Sequence, residues 1–384
     1  MKKTLLALSV AGAFAGAAMA APQVQVYGLI DTGFSYTHSD ADVAGVKDAD
    51  EFRMVQGQEF GSRFGLRGSE DLGNGYKVGF TLENGFHADT GALFTSGSIF
   101  DREANIDVQT PFGEFRFGRL PIFGSTLGAN GLFRAIDPLF ANTTRGFGSG
   151  MASASMWTRV SNGISYRTPT FAGFTGYAMY SLKNDTNTDA EESKADSDRY
   201  ASLAARYQTG AFEAVFVADA TLYGNKRTVA HEDDGMTFTL GGNYTFDNGL
   251  KVLVFGQYFK DQELNAAQRA GVVLNGVKEM TWTDKANDKY SGYGFLDGFG
   301  LSLGVNYPIG GGVAKAQIGY RDAENQDDME FTRWTVAGAY DYALSKRTSV
   351  YVMGGYTQEK IEAKGGDEAT PSGYELTAGL LHRF

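Results

Sequence analysis

The residues with the spacing to do chemistry are basic. Arg63 and Arg67 bracket Phe64 and Leu66, and Arg159 and Arg167 stand in step against Val160, Ile164 and Tyr166. In an extended strand successive side chains point to opposite faces, so these arginines share one face and the apolar residues the other. Lys77 and Arg116 fall on the same polar parity. Arg102 shares parity with Ala104, Ile106 and Val108, which puts it at the rim of the apolar face unless a bulge resets the alternation. Glu83, Glu103 and Asp107 are available to pair with this wall, and such pairs are common and weak. The chemistry on offer is electrostatic: fixed charges that attract and orient small ions.

Bond-making chemistry has little support. The 4 histidines, His38, His87, His231 and His382, are scattered with no metal-ligand spacing. The remote alternative, an outer-membrane barrel enzyme such as a lipase or protease, needs a nucleophile and an oriented base near the outer rim. No Ser–His pair stands at matching depth, so the expectation is no enzyme. Gly146-Phe147-Gly148-Ser149-Gly150 lacks the third glycine spacing of a dinucleotide fingerprint and opens no helix. The acidic stretches 185–198 and 232–234 read as solvated loops, because a calcium site needs convergent ligands. No metal and no cofactor is expected.

Strands must position the basic wall. Period two recurs from end to end: Val24, Val26, Gly28, Ile30, Thr32, Phe34 and Tyr36 against Gln25, Tyr27, Asp31 and Ser35; Phe238, Leu240, Gly242, Tyr244 and Phe246 against Thr237, Thr239 and Asn243; Trp334, Val336, Gly338 and Tyr340 against Arg333 and Thr335. The apolar rows begin or end on aromatics, as they do where a strand meets the headgroups of a bilayer. Short connections near 71–75, 111–113, 168–173, 208–211, 247–249, 308–312 and 343–347 alternate with long polar ones. The long ones fall near 39–61, 89–99, 121–156, 182–197, 222–235, 260–297, 322–330 and 359–372. Seven short and eight long connections join sixteen strands, an even number with short turns on one side, which is the pattern of an all-β, sixteen-stranded antiparallel transmembrane barrel. Sixteen strands leave an aqueous channel.

The third long connection, 121–156, carries Arg134, Asp137 and Arg145 among six glycines. Long loops in compact domains are usually functional. Tucked into the barrel, this one would touch the wall through Phe133, Leu139 and Phe140.

The two ends of the chain agree. Residues 1–20 open on Lys2 and Lys3, continue through a short apolar stretch and close on Ala18-Met19-Ala20, which reads as a secretory signal. Its loss would remove two lysines and take the net charge from −11 to −13, leaving residues 21–384 as the barrel. The C-terminus alternates up to a terminal aromatic, Phe384, and a soluble domain would seldom end that way. With 51 Gly, 28 Phe, 20 Tyr and 7 Pro the composition favours one large β structure. With no cysteine it has to be held by its hydrogen-bonded ladder rather than by disulfides. A pI near 5.0 argues against a nucleic-acid partner.

Several segments resemble the general porins of Gram-negative outer membranes. They are Val26-Tyr27-Gly28-Leu29-Ile30-Asp31, the run from Ser62-Arg63-Phe64-Gly65-Leu66-Arg67-Gly68 through Ser69-Glu70-Asp71-Leu72-Gly73-Asn74-Gly75, Phe112-Gly113-Glu114-Phe115-Arg116-Phe117-Gly118-Arg119, Ile164-Ser165-Tyr166-Arg167 and Phe384. The resemblance implies a homotrimer of sixteen-stranded barrels in outer-membrane lipid and lipopolysaccharide, each a water-filled pore for passive diffusion of small hydrophilic solutes and ions. It implies an inward third loop facing an arginine wall at Arg63 and Arg167, with Arg102 third, and makes Phe384 an assembly signal. Enteric relatives carry Pro-Glu-Phe-Gly in that loop. Here Pro121-Ile122-Phe123-Gly124 and Asp137-Pro138-Leu139-Phe140 put an apolar residue where the glutamate would be, so a weakly anion-preferring or nearly neutral constriction is expected. The alternative is a substrate-selective channel for sugars or peptides, with Tyr27, Tyr177, Phe255, Phe259 and Tyr351 on lumen parity.

Overall fold

The computed structural model describes residues 23–40, 42, 47–139, 152–185, 189–227, 233–265, 268, 281–283, 289–291, 293–362 and 368–384. The expected signal at 1–20, together with Phe140 and Arg145, lies outside them.

The strand segments are β1 (Gln23–Asp40), β2 (Ala49–Gln56), β3 (Arg63–Gly73), β4 (Tyr76–Gly85), β5 (Glu103–Thr110), β6 (Gly113–Pro121), β7 (Arg159–Arg167), β8 (Phe174–Ser181), β9 (Arg199–Thr209) and β10 (Phe212–Leu222). They continue as β11 (Gly235–Thr245), β12 (Lys251–Gln262), β13 (Thr281–Thr283), β14 (Lys289–Ser291), β15 (Leu296–Ile309), β16 (Gly312–Asn325), β17 (Glu330–Ala343), β18 (Thr348–Glu362), β19 (Glu368–Ala369) and β20 (Ser372–Arg383). Each barrel segment pairs antiparallel with its neighbours in sequence, and β1 pairs with β20 to close the wall. β2 and β3 are one strand with an interruption, since both pair with β1, and β19 leads into β20 in the same way against β18. The result is a sixteen-stranded barrel. β13 and β14 form a separate hairpin within the long connection after β12.

One expected loop needs correction. The stretch 39–61 reads as a single polar connection, yet Ala49–Gln56 pairs residue for residue with β1 and the chain leaves the ladder only at 57–62. Its charges hid the strand: Asp50, Glu51 and Arg53 lie near the outer end, where polar side chains reach water. The turn 343–347, poor in Gly and Pro, does form, closed by the Leu344 and Ser345 amides donating to the Thr348 carbonyl.

The two faces are inverted relative to a soluble protein. Val24, Val26, Ile30 and Phe34 are exposed on the outside of β1, while Asp31 and Ser35, each next to one of them in sequence, are fully buried. That is the arrangement a lipid-facing wall requires. At the short-turn end, outward rings gather into contacts, Phe115 with Tyr166 at 4.7 Å and Phe174 with Tyr207 at 4.4 Å between centroids. Aromatics at this level sit among headgroups.

Candidate functional site

The third loop enters the barrel. Leaving β6 at Pro121, it packs Ile122, Phe123, Leu132, Phe133 and Ile136 against Val160, Met179, Tyr200, Val215, Val217 and Phe255 on the inner wall. Asn243 Nδ2 donates to the Ala135 carbonyl at 2.6 Å, and farther on the Ala154 amide donates to Gln257 Oε1 at 2.7 Å. Leu139 reaches the far wall at Ala337, Tyr351 and Met353. Two glycines allow this approach: a Cβ on Gly300 would lie 1.5 Å from the Ala152 carbonyl oxygen, and one on Gly304 would lie 2.3 Å from Pro138 Cγ.

Beside the loop stands a compact charge cluster. Glu83 on β4 accepts from Arg102 Nε at 2.7 Å and from the Tyr27 hydroxyl at 3.0 Å, with Arg63 Nη1 at 3.9 Å. Arg63 Nε donates to the Gly61 carbonyl at 2.8 Å, which fixes its guanidinium along the wall. Arg159, at the start of β7, is in electrostatic range of Arg102, Glu83 and Glu103. Arg134 projects from a short 3-10 turn (Phe133–Ala135), exposed, with its Nε donating to the Thr126 carbonyl at 2.6 Å and with Arg102, Glu83 and Glu103 as its charged neighbours. Arg102 Nη2 and Arg159 Nε are buried without a hydrogen-bond acceptor among the described residues.

Arg102 departs from its strand parity. It precedes β5, in a bend whose amide donates to the Glu83 carbonyl, so the alternation that begins at Glu103 does not govern it and its side chain turns inward.

The other basic positions lie elsewhere. Arg116 and Arg167 share Glu114, at 2.6 and 2.7 Å, beside the short turn at 110–113. Arg67 donates to Gln25 Oε1 at 3.0 Å and lies over the Tyr27 ring at 4.9 Å. Lys77 pairs in register with Asp71 next to the 73–76 turn. Arg63 and Arg167 are therefore not brought together; Arg63 meets Arg102 and Arg134 instead, and Arg159 joins the group through Arg102 and Glu83. Asp137 is 2 % exposed and its Oδ1 accepts the Leu139 amide at 3.0 Å, so it shapes the loop.

The aromatics on lumen parity are largely covered. Phe255 stacks with Phe133 at 6.1 Å, Tyr177 meets Phe123 at 5.4 Å, and Tyr351 packs under Leu139. Phe259 joins Leu264, Tyr293 and Leu296 in a cluster beneath the loop after β12.

A second charged group escaped the sequence reading. Glu359 accepts from Arg321 Nη2 at 2.9 Å and from Arg333 Nη2 at 2.9 Å, all three fully buried, while Tyr293 also donates to it. Arg333 Nη1 donates to the Gln268 carbonyl at 2.8 Å, and Arg321 Nη1 reaches the Ser153 carbonyl at 3.4 Å. The parity rule that found Arg63 places Arg321 and Arg333 inward too, against Tyr320 and Trp334. What it could not show is that two loops fold over them.

A charged inner wall narrowed by an inward loop, inside a lipid-faced barrel, is the anatomy of a membrane channel. A family model described as Gram-negative porin matches residues 7–362. An outer membrane porin protein of Bordetella pertussis is 32% identical over 100% of both chains, and outer membrane porin protein 32 of Delftia acidovorans is 30% identical over 100% of both. Among solved structures, one titled anion-selective porin from Comamonas acidovorans superposes with a TM-score of 0.68 at 25% identity, covering 94% of this chain and 100% of that one. With the family model spanning most of its length and relatives aligned end to end, this chain belongs to the Gram-negative porin family.

Proposed function

We propose that this outer-membrane channel for passive diffusion of small hydrophilic solutes prefers anions weakly. The observation that carries the reading is the charge balance beside the loop: the guanidiniums of Arg63, Arg102, Arg134 and Arg159 stand against the carboxylates of Glu83 and Glu103. An ion passing roughly 5 Å from one uncompensated charge gains about 1–3 kcal/mol between bulk-water and protein-edge screening. Distant acidic loops act through about 8–10 Å of screening salt and count for less. The resemblance to a porin titled anion-selective supports the same sign. Reversal potentials in a potassium chloride gradient test it: modest anion preference is expected, moving toward cations in the Arg63→Gln, Arg102→Gln double variant. Strong cation selectivity in the unmodified protein would overturn it. The covered aromatics favour diffusion over a greasy path for one sugar or peptide, and the family and fold are those of a channel rather than an enzyme.

The working unit is a homotrimer in this reading, with its contact near the first and last strands. Supporting it is a shallow outward groove of about 560 Å³ lined by Phe34, Phe52, Gly338, Val352, Gly354 and Leu376, where small residues bring the backbone close to the surface. Gly28 belongs to another contact: a Cβ there would lie 2.4 Å from Phe384 Cζ, so its space is filled by the chain's own last ring. Crosslinking of the detergent-extracted protein, giving a three-chain species, is the check.

A further inference from the structure

The interruption between β2 and β3 is a second inward element, and it is folded around one residue. Opposite residues 57–62 the partner strand β1 offers only Ile30 and Asp31, since Thr32 pairs with Gln56 and Leu29 with Arg63. Six residues against two leave an even excess, so the alternation resumes in phase and Arg63 still faces the lumen. Asp31 is fully buried beneath this detour. Its Oδ2 accepts the Glu59 and Phe60 amides at 2.9 and 2.8 Å, and its carbonyl accepts the Gly57 amide at 2.9 Å. Ser62 Oγ donates to that carbonyl and accepts the Asp31 amide, both at 3.1 Å. Tyr351 on β18 donates to Asp31 Oδ1 at 2.6 Å and holds the carboxylate in place.

The detour ends on the charge cluster. Its Gly61 carbonyl accepts Arg63 Nε at 2.8 Å, and the ladder restarts beside it, with the Phe86 amide donating to the Ser62 carbonyl at 3.1 Å. Arg63 is thereby held with Nη1 3.9 Å from Glu83 Oε1, at the edge of ion-pair range, while Arg102 Nε occupies the same oxygen at 2.7 Å. A guanidinium free to turn would close on that carboxylate, because a charge-assisted pair is strongest at about 2.7–2.9 Å. Its charge would then be compensated and lost to passing ions. Gly57 marks the other end of the detour. Its φ is +64°, which glycine adopts without strain, and a Cβ there would lie 2.9 Å from Gly61 Cα.

We propose that Asp31 is a positioning residue for ion selectivity. By templating the 57–62 detour it places the Gly61 carbonyl, which keeps Arg63 turned to the ion path rather than onto Glu83. The inference rests on the anion preference proposed above and gives one arginine of that cluster its support. Asp31 touches no ion, being covered by the detour it holds. Its own negative charge acts in the opposite sense, since removing an acid by itself favours anions. Positioning and charge are therefore separable by sign.

Reversal potentials of the full protein in planar bilayers under a potassium chloride gradient test this, with each variant shown to be folded by its heat-dependent gel mobility. Asp31→Ala removes the template and is expected to move the potential toward cations, against the sign of the lost charge. Asp31→Asn keeps an oxygen for the two amides and an amide to donate to the Tyr351 hydroxyl. It should therefore hold or exceed the anion preference of the unmodified protein. Gly57→Ala alters no charge and presses on Gly61, so it should shift the potential the same way as Asp31→Ala; it carries the test if Asp31→Ala does not fold. In an Arg63→Gln background neither Asp31→Ala nor Gly57→Ala should shift the potential further, because substitutions that act through one group are not additive. An Arg63→Gln variant with an unchanged potential overturns the anion reading and this inference with it. A shift in Arg63→Gln with none in folded Gly57→Ala, or a shift toward anions in Asp31→Ala, overturns this inference alone.

Discussion

Glu83 sets the balance of charge at the level of the third loop. Arg63, Arg102 and Tyr27 all converge on its carboxylate, so it neutralises one guanidinium and orients two. Replacing it with Gln keeps the shape and removes the negative charge. Anion preference should then rise, read as a larger reversal potential in the same salt gradient. Thermal stability should fall, because breaking a buried ion pair by removing one partner leaves the other charge uncompensated, at a cost of about 3–5 kcal/mol when fully buried and less where water reaches. An unchanged reversal potential would mean that Glu83 does not face the ion path. Individual side chains were legible in the sequence wherever alternation held. Arg63, Arg116 and Arg159 could be turned inward from parity alone, since a charge facing lipid at the bilayer midplane costs about 2–4 kcal/mol. Arg102 was not legible in this way, because a bend before β5 breaks the period. Depth was not legible either: parity says which face Arg167 occupies and nothing about how far it lies from Arg63.

At the scale of elements, the barrel was readable and the loops were not. Each strand carries its own evidence in a repeat of two, and each turn at 73–76, 110–113 or 309–312 marks itself with Gly, Pro or Asn. An inward loop has no period. Its path is written on the wall it lies against, in Gly300 and Gly304, which read in sequence as ordinary small lumen positions. The detour at 57–62 is harder still, since a break in one strand looks like the end of a loop. The glycines give the third loop its seat, so filling one should move the loop. Gly304→Val places branched carbons where Pro138 now sits. Overpacking of this kind costs about 1–3 kcal/mol, and the loop, held less tightly than the wall, is what yields. Single-channel conductance should fall as the loop is pushed toward the lumen axis, with the barrel still resistant to detergent. Full conductance in that variant would show that the loop finds another seat.

At the scale of the whole molecule, Phe384 stands at the seam where the barrel closes. A barrel has no edge strand only if its first and last strands meet, and until they do both expose unpaired amides and carbonyls that a membrane interior cannot satisfy. Here β1 pairs with β20 from Leu29–Arg383 to Asp40–Ser372, and the ladder ends on a reciprocal pair, the Phe384 amide donating to the Gly28 carbonyl at 3.0 Å and the Gly28 amide to the Phe384 carbonyl at 3.1 Å. The Phe384 ring covers Gly28 on the outward, short-turn rim, so one residue supplies the final two backbone bonds and an aromatic at headgroup level. Deleting Phe384 removes all of these, whereas Phe384→Ala removes only the ring. The deletion should lower the yield of folded barrel on refolding into detergent and slow its insertion. Phe384→Ala should insert with an intermediate yield, and Phe384→Trp, which keeps an aromatic at the interface, should approach the unmodified protein. The fraction running as the compact, unheated species on a gel reads all three. If the deletion refolds and inserts as the full chain does, the seam is sealed by the rest of the β1–β20 ladder and the terminal residue is dispensable for closure.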